Sequence, residues 1–159
     1  SEYALSKLIS ENNLRQKNQH GFCDVTILRF GIIYGPRKAN WSAVEAIFNT
    51  VEMKDEVTVG SLNTSRRFVH VSDICDGILS SVGLKGFNVI NLQGKESVTL
   101  GEIVSEGLGI TKKKVKVVEA SPDSANVRLV SNDKAKRILN WEAKISIRDG
   151  LNSLVGKLR

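Results

Sequence analysis

Asp24-Val25-Thr26-Ile27-Leu28-Arg29-Phe30 reads as a β-strand. The run is β-branched and mostly apolar, as a strand buried on both faces of a parallel sheet would be. Before it, Ser1 to about Lys17 has helical spacing. Leu5, Leu8, Ile9 and Asn12 fall on one stripe, Ser1 stands where a cap belongs, and Gly21 ends the segment. After it, Gly31 to Lys38 is expected as a loop built around Tyr34-Gly35-Pro36-Arg37. The alternation continues along the chain. Trp41–Glu52 is a helix through Val44, Ile47, Phe48 and Val51, and Glu56–Val59 and Phe68–Val71 are short strands. Asp73–Val82 is a helix with Ile74, Ile78 and Leu79 expected inward, followed by a strand at Phe87–Leu92. A helix at Leu100–Leu108 with Thr99 as cap, a strand at Val115–Val118 and closing helices at Asp133–Leu139 and Ile147–Leu158 complete the reading. Strands alternating with helices argue for an α/β fold with a partly parallel sheet.

The chain has 159 residues, 41% hydrophobic and 25% charged, which is one domain's worth of globular sequence and excludes collagen, mucin-like stalks and wholesale disorder. No apolar run approaches the ~18 residues of a membrane span, so no membrane partner is expected. Glu2 and Lys7 interrupt the opening apolar pattern, so no signal peptide is read there. Cys23 and Cys75 are too few for a disulfide scaffold. They are expected as small buried hydrophobes in a reducing cytoplasm. The net charge of +6 leaves nucleic acid, an anionic surface or a phosphorylated small molecule open as partners. The densest run, Lys112-Lys113-Lys114-Val115-Lys116, has few aromatics around it and reads as a solvated loop and strand edge rather than a nucleic-acid platform. No His/Cys/Asp cluster has metal-ligand spacing, so no metal site is expected. The glycine-rich turn that opens a nucleotide-binding α/β domain is not found either; Gly107-Leu108-Gly109 lacks the third glycine and follows a helical pattern.

Tyr3 and Lys7 stand four apart on the first helix, about 40° apart in projection at ~100° per residue. The Leu5/Leu8/Ile9 stripe lies roughly opposite, so the helix is expected to pack by that stripe and present a phenol and an ammonium together. A nearby cation stabilises a phenolate, and a phenol tuned toward neutrality exchanges a proton with a substrate hydroxyl. His70 alternates with Val69 and Val71 in a strand and reads as a satisfied structural histidine. Trp141 is expected to pack the last helices onto the body.

Tyr3-Ala4-Leu5-Ser6-Lys7, followed by Leu28-Arg29-Phe30-Gly31-Ile32-Ile33-Tyr34-Gly35-Pro36-Arg37, resembles the NAD-dependent epimerase/dehydratase family, the extended short-chain dehydrogenases/reductases that act on nucleotide sugars. Arg66-Arg67-Phe68-Val69-His70-Val71-Ser72-Asp73 resembles its Arg-x-Phe-Val-His-Val-x-Asp segment. Phe87 to Leu92 with Glu96 to Leu100, and Ser131 to Trp141, resemble two further segments in the same order.

The resemblance implies the C-terminal part of a Rossmann-type domain plus a small α/β substrate-binding domain. Residues 1–36 would be the tail of the dinucleotide-binding domain and 37–159 mainly the substrate domain, with 66–84 packing back on the Rossmann part. It implies NAD or NADP as cofactor and a nucleotide sugar as substrate. Tyr3 would be the catalytic acid/base, and Lys7 would lower its pKa and bond the ribose next to the nicotinamide. Phe30 and Ile33 match positions at the nicotinamide end. Arg66 matches the arginine that grips the sugar-nucleotide diphosphate, and only one of Arg66 and Arg67 is expected to face inward. Arg128 is near a second such position, and Arg37 is a further candidate that could instead pair with a carboxylate. Ile32 stands where the family often has an Asn that contacts the sugar. In the resembled family the Tyr/Lys helix often packs against its twin, which makes a homodimer compatible with the stripe. A non-catalytic binding module on the same scaffold is the alternative reading.

Overall fold

The computed structural model describes residues 1–39 and 41–158. Helix α1 (Glu2–Gln19) leads into strands β1 (Val25–Phe30) and β2 (Ile32–Tyr34), then helix α2 (Ala43–Met53) and strand β3 (Glu56–Val59). Two short strands, β4 (Ser65–Arg66) and β5 (Phe68–His70), precede helix α3 (Val71–Ser81) and strand β6 (Phe87–Leu92). Strand β7 (Val98–Thr99), helix α4 (Leu100–Thr111), strand β8 (Lys116–Glu119) and helices α5 (Asp133–Leu139) and α6 (Ile147–Leu154) complete the chain. The fold is α/β, as the alternation predicts. β1 pairs in parallel with β6 from Val25 opposite Phe87 to Phe30 opposite Leu92. β2–β5 and β3–β8 are also parallel, and β4–β7 is antiparallel.

Local signals explain most boundaries. Ser1 Oγ accepts from the Ala4 N–H at 3.4 Å and starts α1. Ser42 and Thr99 each form a capping box, with Glu45 and Glu102 returning to the cap backbone. Lys112 and Asn140 end α4 and α5 in the left-handed conformation.

Two apolar clusters hold the elements. The first gathers Val44, Ile47, Phe48 and Val51 of α2 with Val57, Ile103, Val104, Leu151 and Leu154. All four α2 positions expected from the helical spacing are buried. The second gathers Val69 and Ile74 with Ile90, Leu92, Ala135, Leu139 and Trp141. Each large side chain withdrawn from water in these clusters contributes roughly 1.5–3 kcal/mol. Trp141 is buried as expected, and its indole N–H donates to the Asp73 main-chain oxygen at 2.9 Å.

Several expectations are corrected. The loop over 31–38 contains strand β2, because Ile32, Ile33 and Tyr34 find a parallel partner in β5. Within α3 only Ile74 of the three named positions is buried; Ile78 is 40% and Leu79 71% exposed, the small Gly77 taking the inward place against Leu92 and Trp141. Both cysteines are exposed, Cys23 in the turn after α1 and Cys75 on the outer face of α3. The Leu5/Leu8/Ile9 stripe is 58%, 60% and 52% exposed, and α1 buries no residue at all. The stripe does not pack this helix onto the rest of the chain; polar contacts do. Among the described residues no helix is long and apolar enough to cross a membrane.

Candidate active site

Helix α1 returns beside β1 through a short turn in which Asn18 Nδ2 donates to the Cys23 carbonyl at 2.7 Å. Further along, Arg29 of β1 grips Glu11 with two nitrogens, Nε lying 2.8 Å from Oε1. The guanidinium holds the Glu11 carboxyl below the usual carboxylate range. Arg15 adds a cation–π contact to the Phe87 ring on β6, 4.5 Å from its centroid. Together these contacts fix α1 antiparallel to β1. Lys7 and Tyr3 then lie one and two turns beyond Glu11, ~6 and ~12 Å along the axis. Gly31 to Ile33 lie roughly 7–13 Å beyond Arg29. The Tyr3/Lys7 pair and the apolar group Phe30, Ile32 and Ile33 therefore share the C-terminal end of β1, the end at which open α/β sheets bind ligands.

The chain has two tyrosines, and their surroundings separate them. Tyr34 is buried, its hydroxyl donating to the Ser146 carbonyl at 3.4 Å. Burial pushes its pKa up, and the Asp73, Asp149 and Glu45 carboxylates push it further. Such a phenol keeps its proton. Tyr3 is 71% exposed, with Lys7 Nζ 5.2 Å from its ring centroid. The i, i+4 spacing has brought phenol and ammonium to one exposed face. Neither the cavity lined by Arg67 and Lys95 nor that lined by Asp76 and Trp141 includes Tyr3, Lys7, Arg37, Arg66 or Arg128. The pair stands on an open surface, and a cleft there needs a second surface.

The arginines separate as well. Arg37 is committed within the chain: its Nε lies 2.8 Å from Glu45 Oε1 and its Nη2 donates to the Ile33 carbonyl at 3.2 Å. The Nε contact is an ion pair rather than a well-directed hydrogen bond. Arg37 thus braces the turn after β2. Arg66 is half-buried and donates to the Ser65 and Asn126 carbonyls at 2.7 and 2.5 Å. This places it against the exposed 125–130 segment that carries Arg128. Arg67, its neighbour, is also half-buried and looks into a different cavity.

The sequence reading missed Glu45. This carboxylate is fully buried, and it accepts from the Gly35 N–H at 3.1 Å and the Ser42 N–H at 2.9 Å while pairing with Arg37. The Ser42-x-x-Glu45 spacing was the available signal. Asp73 was also missed: its carboxylate accepts the Lys144 and Ile145 N–H groups at 3.1 and 3.0 Å. His70 is structural, as expected, its Nδ1 accepting from Ser72 N–H and its Nε2 meeting Ser153 Oγ, both at 3.2 Å. Among the described residues no group of three or more His, Cys, Asp or Glu is gathered to hold a metal.

Comparison with known proteins decides the family. The profile of the NAD dependent epimerase/dehydratase family matches residues 1–89. The chain belongs to that family. This epimerase/dehydratase-family chain is 31% identical over 136 residues to UDP-glucuronate 4-epimerase of Thermodesulfobacterium geofontis, covering 83% of itself and 42% of that protein. It is 32% identical over 139 residues to UDP-glucuronic acid decarboxylase 3 of Arabidopsis thaliana, covering 84% of itself and 40% of that protein. Among solved structures it is similar to MoeE5 in complex with UDP-glucose and NAD, at 25% identity and a TM-score of 0.83, covering 98% of itself and 54% of MoeE5. The family member thus spans about half the length of the proteins it matches.

Proposed function

We propose that this chain is the C-terminal portion of an NAD(P)-dependent nucleotide-sugar epimerase, dehydratase or reductase. In this reading residues 1–36 belong with the dinucleotide-binding domain and 37–159 mainly with the substrate domain. Segment 66–84 would pack back on the dinucleotide-binding part through the cluster of Val69 and Ile74, against which Leu28 and Ile33 lie. The observation that carries the proposal is the exposed Tyr3/Lys7 pair at the C-terminal end of the parallel β1–β6 ladder. The UDP-sugar chemistry in the relatives' names supports the substrate class, and the NAD held by MoeE5 supports the cofactor.

The residues present fit the nicotinamide end of such a cofactor. Phe30 and Ile32 are exposed at the strand end and offer an apolar wall, with Ile33 half-buried beside them. NAD or NADP, when bound, supplies hydride exchange with a sugar carbon. Tyr3 takes or returns the proton of the sugar hydroxyl at its phenolic oxygen. The Lys7 ammonium, on the same exposed face as Tyr3, would bond the ribose hydroxyls next to the nicotinamide. Arg66, with Arg128 on the adjoining segment, meets the nucleotide diphosphate, because a planar guanidinium matches phosphate oxygens bidentately. Arg37 holds the turn after β2 rather than the substrate. The Leu5/Leu8/Ile9 stripe is covered by the cofactor-binding half of the enzyme or by a second copy of α1.

The test is Tyr3→Phe in the full-length enzyme, assayed on a panel of nucleotide sugars with nicotinamide absorbance as readout. Turnover should fall by about 10²–10⁴-fold, the range for a lost general acid/base, while nucleotide-sugar affinity holds within about twofold. Unchanged turnover would reject Tyr3. No turnover on any nucleotide sugar, in an enzyme that still binds one, would favour a non-catalytic binding module.

A further inference from the structure

Arg66 and Arg67 are neighbours in an extended stretch and face opposite ways. Arg66 turns to the Ser65 and Asn126 carbonyls. Arg67 lines a separate cavity of about 410 Å³, walled by Lys95 after β6, Ser131 and Asp133 at the start of α5, and Glu142 after Trp141. The Arg67 Nε is withdrawn from solvent and has no acceptor among the described residues. A buried donor without a partner costs about 1–3 kcal/mol, and more when charged. The terminal nitrogens of Arg67 enter no hydrogen bond or ion pair among the described residues and are not closed off as Nε is, so the open end of the guanidinium is left to the cavity it lines.

The charges of the wall say what fits. Lys95 is exposed and, like Arg67, enters no ion pair among the described residues. Glu142 is already taken by Lys136 at 2.9 Å. Ser131 Oγ accepts from the Asp133 N–H at 2.9 Å, which leaves its hydroxyl proton free to donate. Asp133 is the opposing charge, a carboxylate on the same wall with no cation paired to it. Two uncommitted cations and a free hydroxyl thus face one uncommitted carboxylate.

We propose that this cavity is a second binding site, distinct from the Tyr3/Lys7 face, which takes the oxyanion group of a small molecule through Arg67 and Lys95. The volume lies within the range of small-molecule sites. The guanidinium receives the oxyanion in plane, Lys95 supplies the second charge and Ser131 one hydrogen bond. Asp133 repels a dianion and so favours a singly charged group, such as a carboxylate or a phosphate monoanion. The site does not depend on the proposed enzymatic activity.

The experiment is a titration of the full chain with inorganic phosphate and, separately, acetate, followed by arginine Nε–H resonances in ¹H–¹⁵N spectra at constant ionic strength. The Arg67 resonance should shift saturably on a curve of its own, whereas the arginines outside both this cavity and the Arg66/Arg128 segment drift weakly and together. Arg67→Gln should weaken binding by at least about tenfold, read from a second reporter, the Lys95 amide, as expected for loss of a charge-assisted contact. Lys95→Gln, at an exposed position that leaves the fold intact, should weaken it by about threefold or more. Asp133→Asn should tighten phosphate binding, and Arg148→Gln, whose side chain pairs with Glu106 outside the cavity, should leave it within about twofold. Phosphate and acetate saturating to different extents distinguish the two oxyanions. Absence of saturation with either ion, equal shifts at all arginines, or saturation that survives Arg67→Gln would overturn the proposal.

Discussion

The protonation state of the His70 ring follows from two contacts. The Ser72 N–H donates to Nδ1, so the neutral ring carries its proton on Nε2 and donates it to Ser153 Oγ. Ser153 Oγ in turn donates to the Gly150 carbonyl at 2.6 Å. A proton on Nδ1 would break the cap of α3. Burial pushes the His70 pKa below its ordinary value, against the pull of the Asp73 and Glu45 carboxylates. The folded pKa therefore lies below the unfolded one, and between them the folded state binds fewer protons. The contribution of the neutral ring is complete above the unfolded value, near 6.5, and is lost as pH falls through the folded value. Urea midpoints should decline from pH 7.5 to 5.5, and His70→Gln should flatten that slope; a slope unchanged in the variant would exclude His70 as its source. Asp73 is the second residue on which much rests, since it accepts two backbone N–H groups from the segment before α6. Asp73→Ala should lower unfolding free energy by about 3 kcal/mol in urea denaturation. A loss under about 1 kcal/mol would mean that water replaces the carboxylate.

Elements differ in what supports them. α2 and α4 pack against one another and bury Phe48, Val51, Ile103 and Val104. α1 buries nothing and is held by Glu11–Arg29, Asn18–Cys23 and Arg15–Phe87. Hydrogen exchange should therefore show α1 amides opening through local events far less costly than global unfolding, while α2 and α4 amides persist. Equal protection in all three helices would show that α1 is covered in solution, and sedimentation would then show whether a second copy covers it. The approach of β5 to the loop after β6 is also an element-scale property. A Cβ at Gly94 would sit 1.9 Å from the Phe68 carbonyl oxygen, a backbone atom that cannot step aside. Gly94→Ala should cost about 3 kcal/mol or more, whereas Gly60→Ala, with nothing within 4 Å, should stay within about 0.5 kcal/mol. Thermal or urea unfolding of the two variants checks the contrast.

At the scale of the molecule, two apolar clusters carry a surface with a catalytic candidate at one end and an uncommitted arginine in a separate cavity. No glycine-rich G-x-G-x-x-G turn occurs in the 159 residues. Calorimetric titration of this chain with NAD should give no micromolar binding, because the backbone cradle for a pyrophosphate is missing. Micromolar affinity would show that the chain builds a dinucleotide site by other means.

By itself the sequence determined what depends on near neighbours. Period and capping placed the helices, and Ser42, Thr99 and Ser1 act within three residues of the groups they satisfy. Tyr3 and Lys7 share a face because four residues make about one helical turn. Ordered motifs along the chain carried the family resemblance. Tertiary structure decided what depends on distant partners. Strand β2 exists because β5 lies beside it, and Ile78 and Leu79 face outward because Gly77 admits Leu92 and Trp141. Glu45 is buried because Gly35, Ser42 and Arg37 converge on it, and that convergence also gives Arg37 a carboxylate partner within the chain. The assignment of Arg66 and Arg67 to different surroundings was likewise decided by segments 60 or more residues away in the chain, at Asn126 and at Ser131–Asp133. Spacing encodes direction along one element; burial and charge pairing arise only where several elements meet.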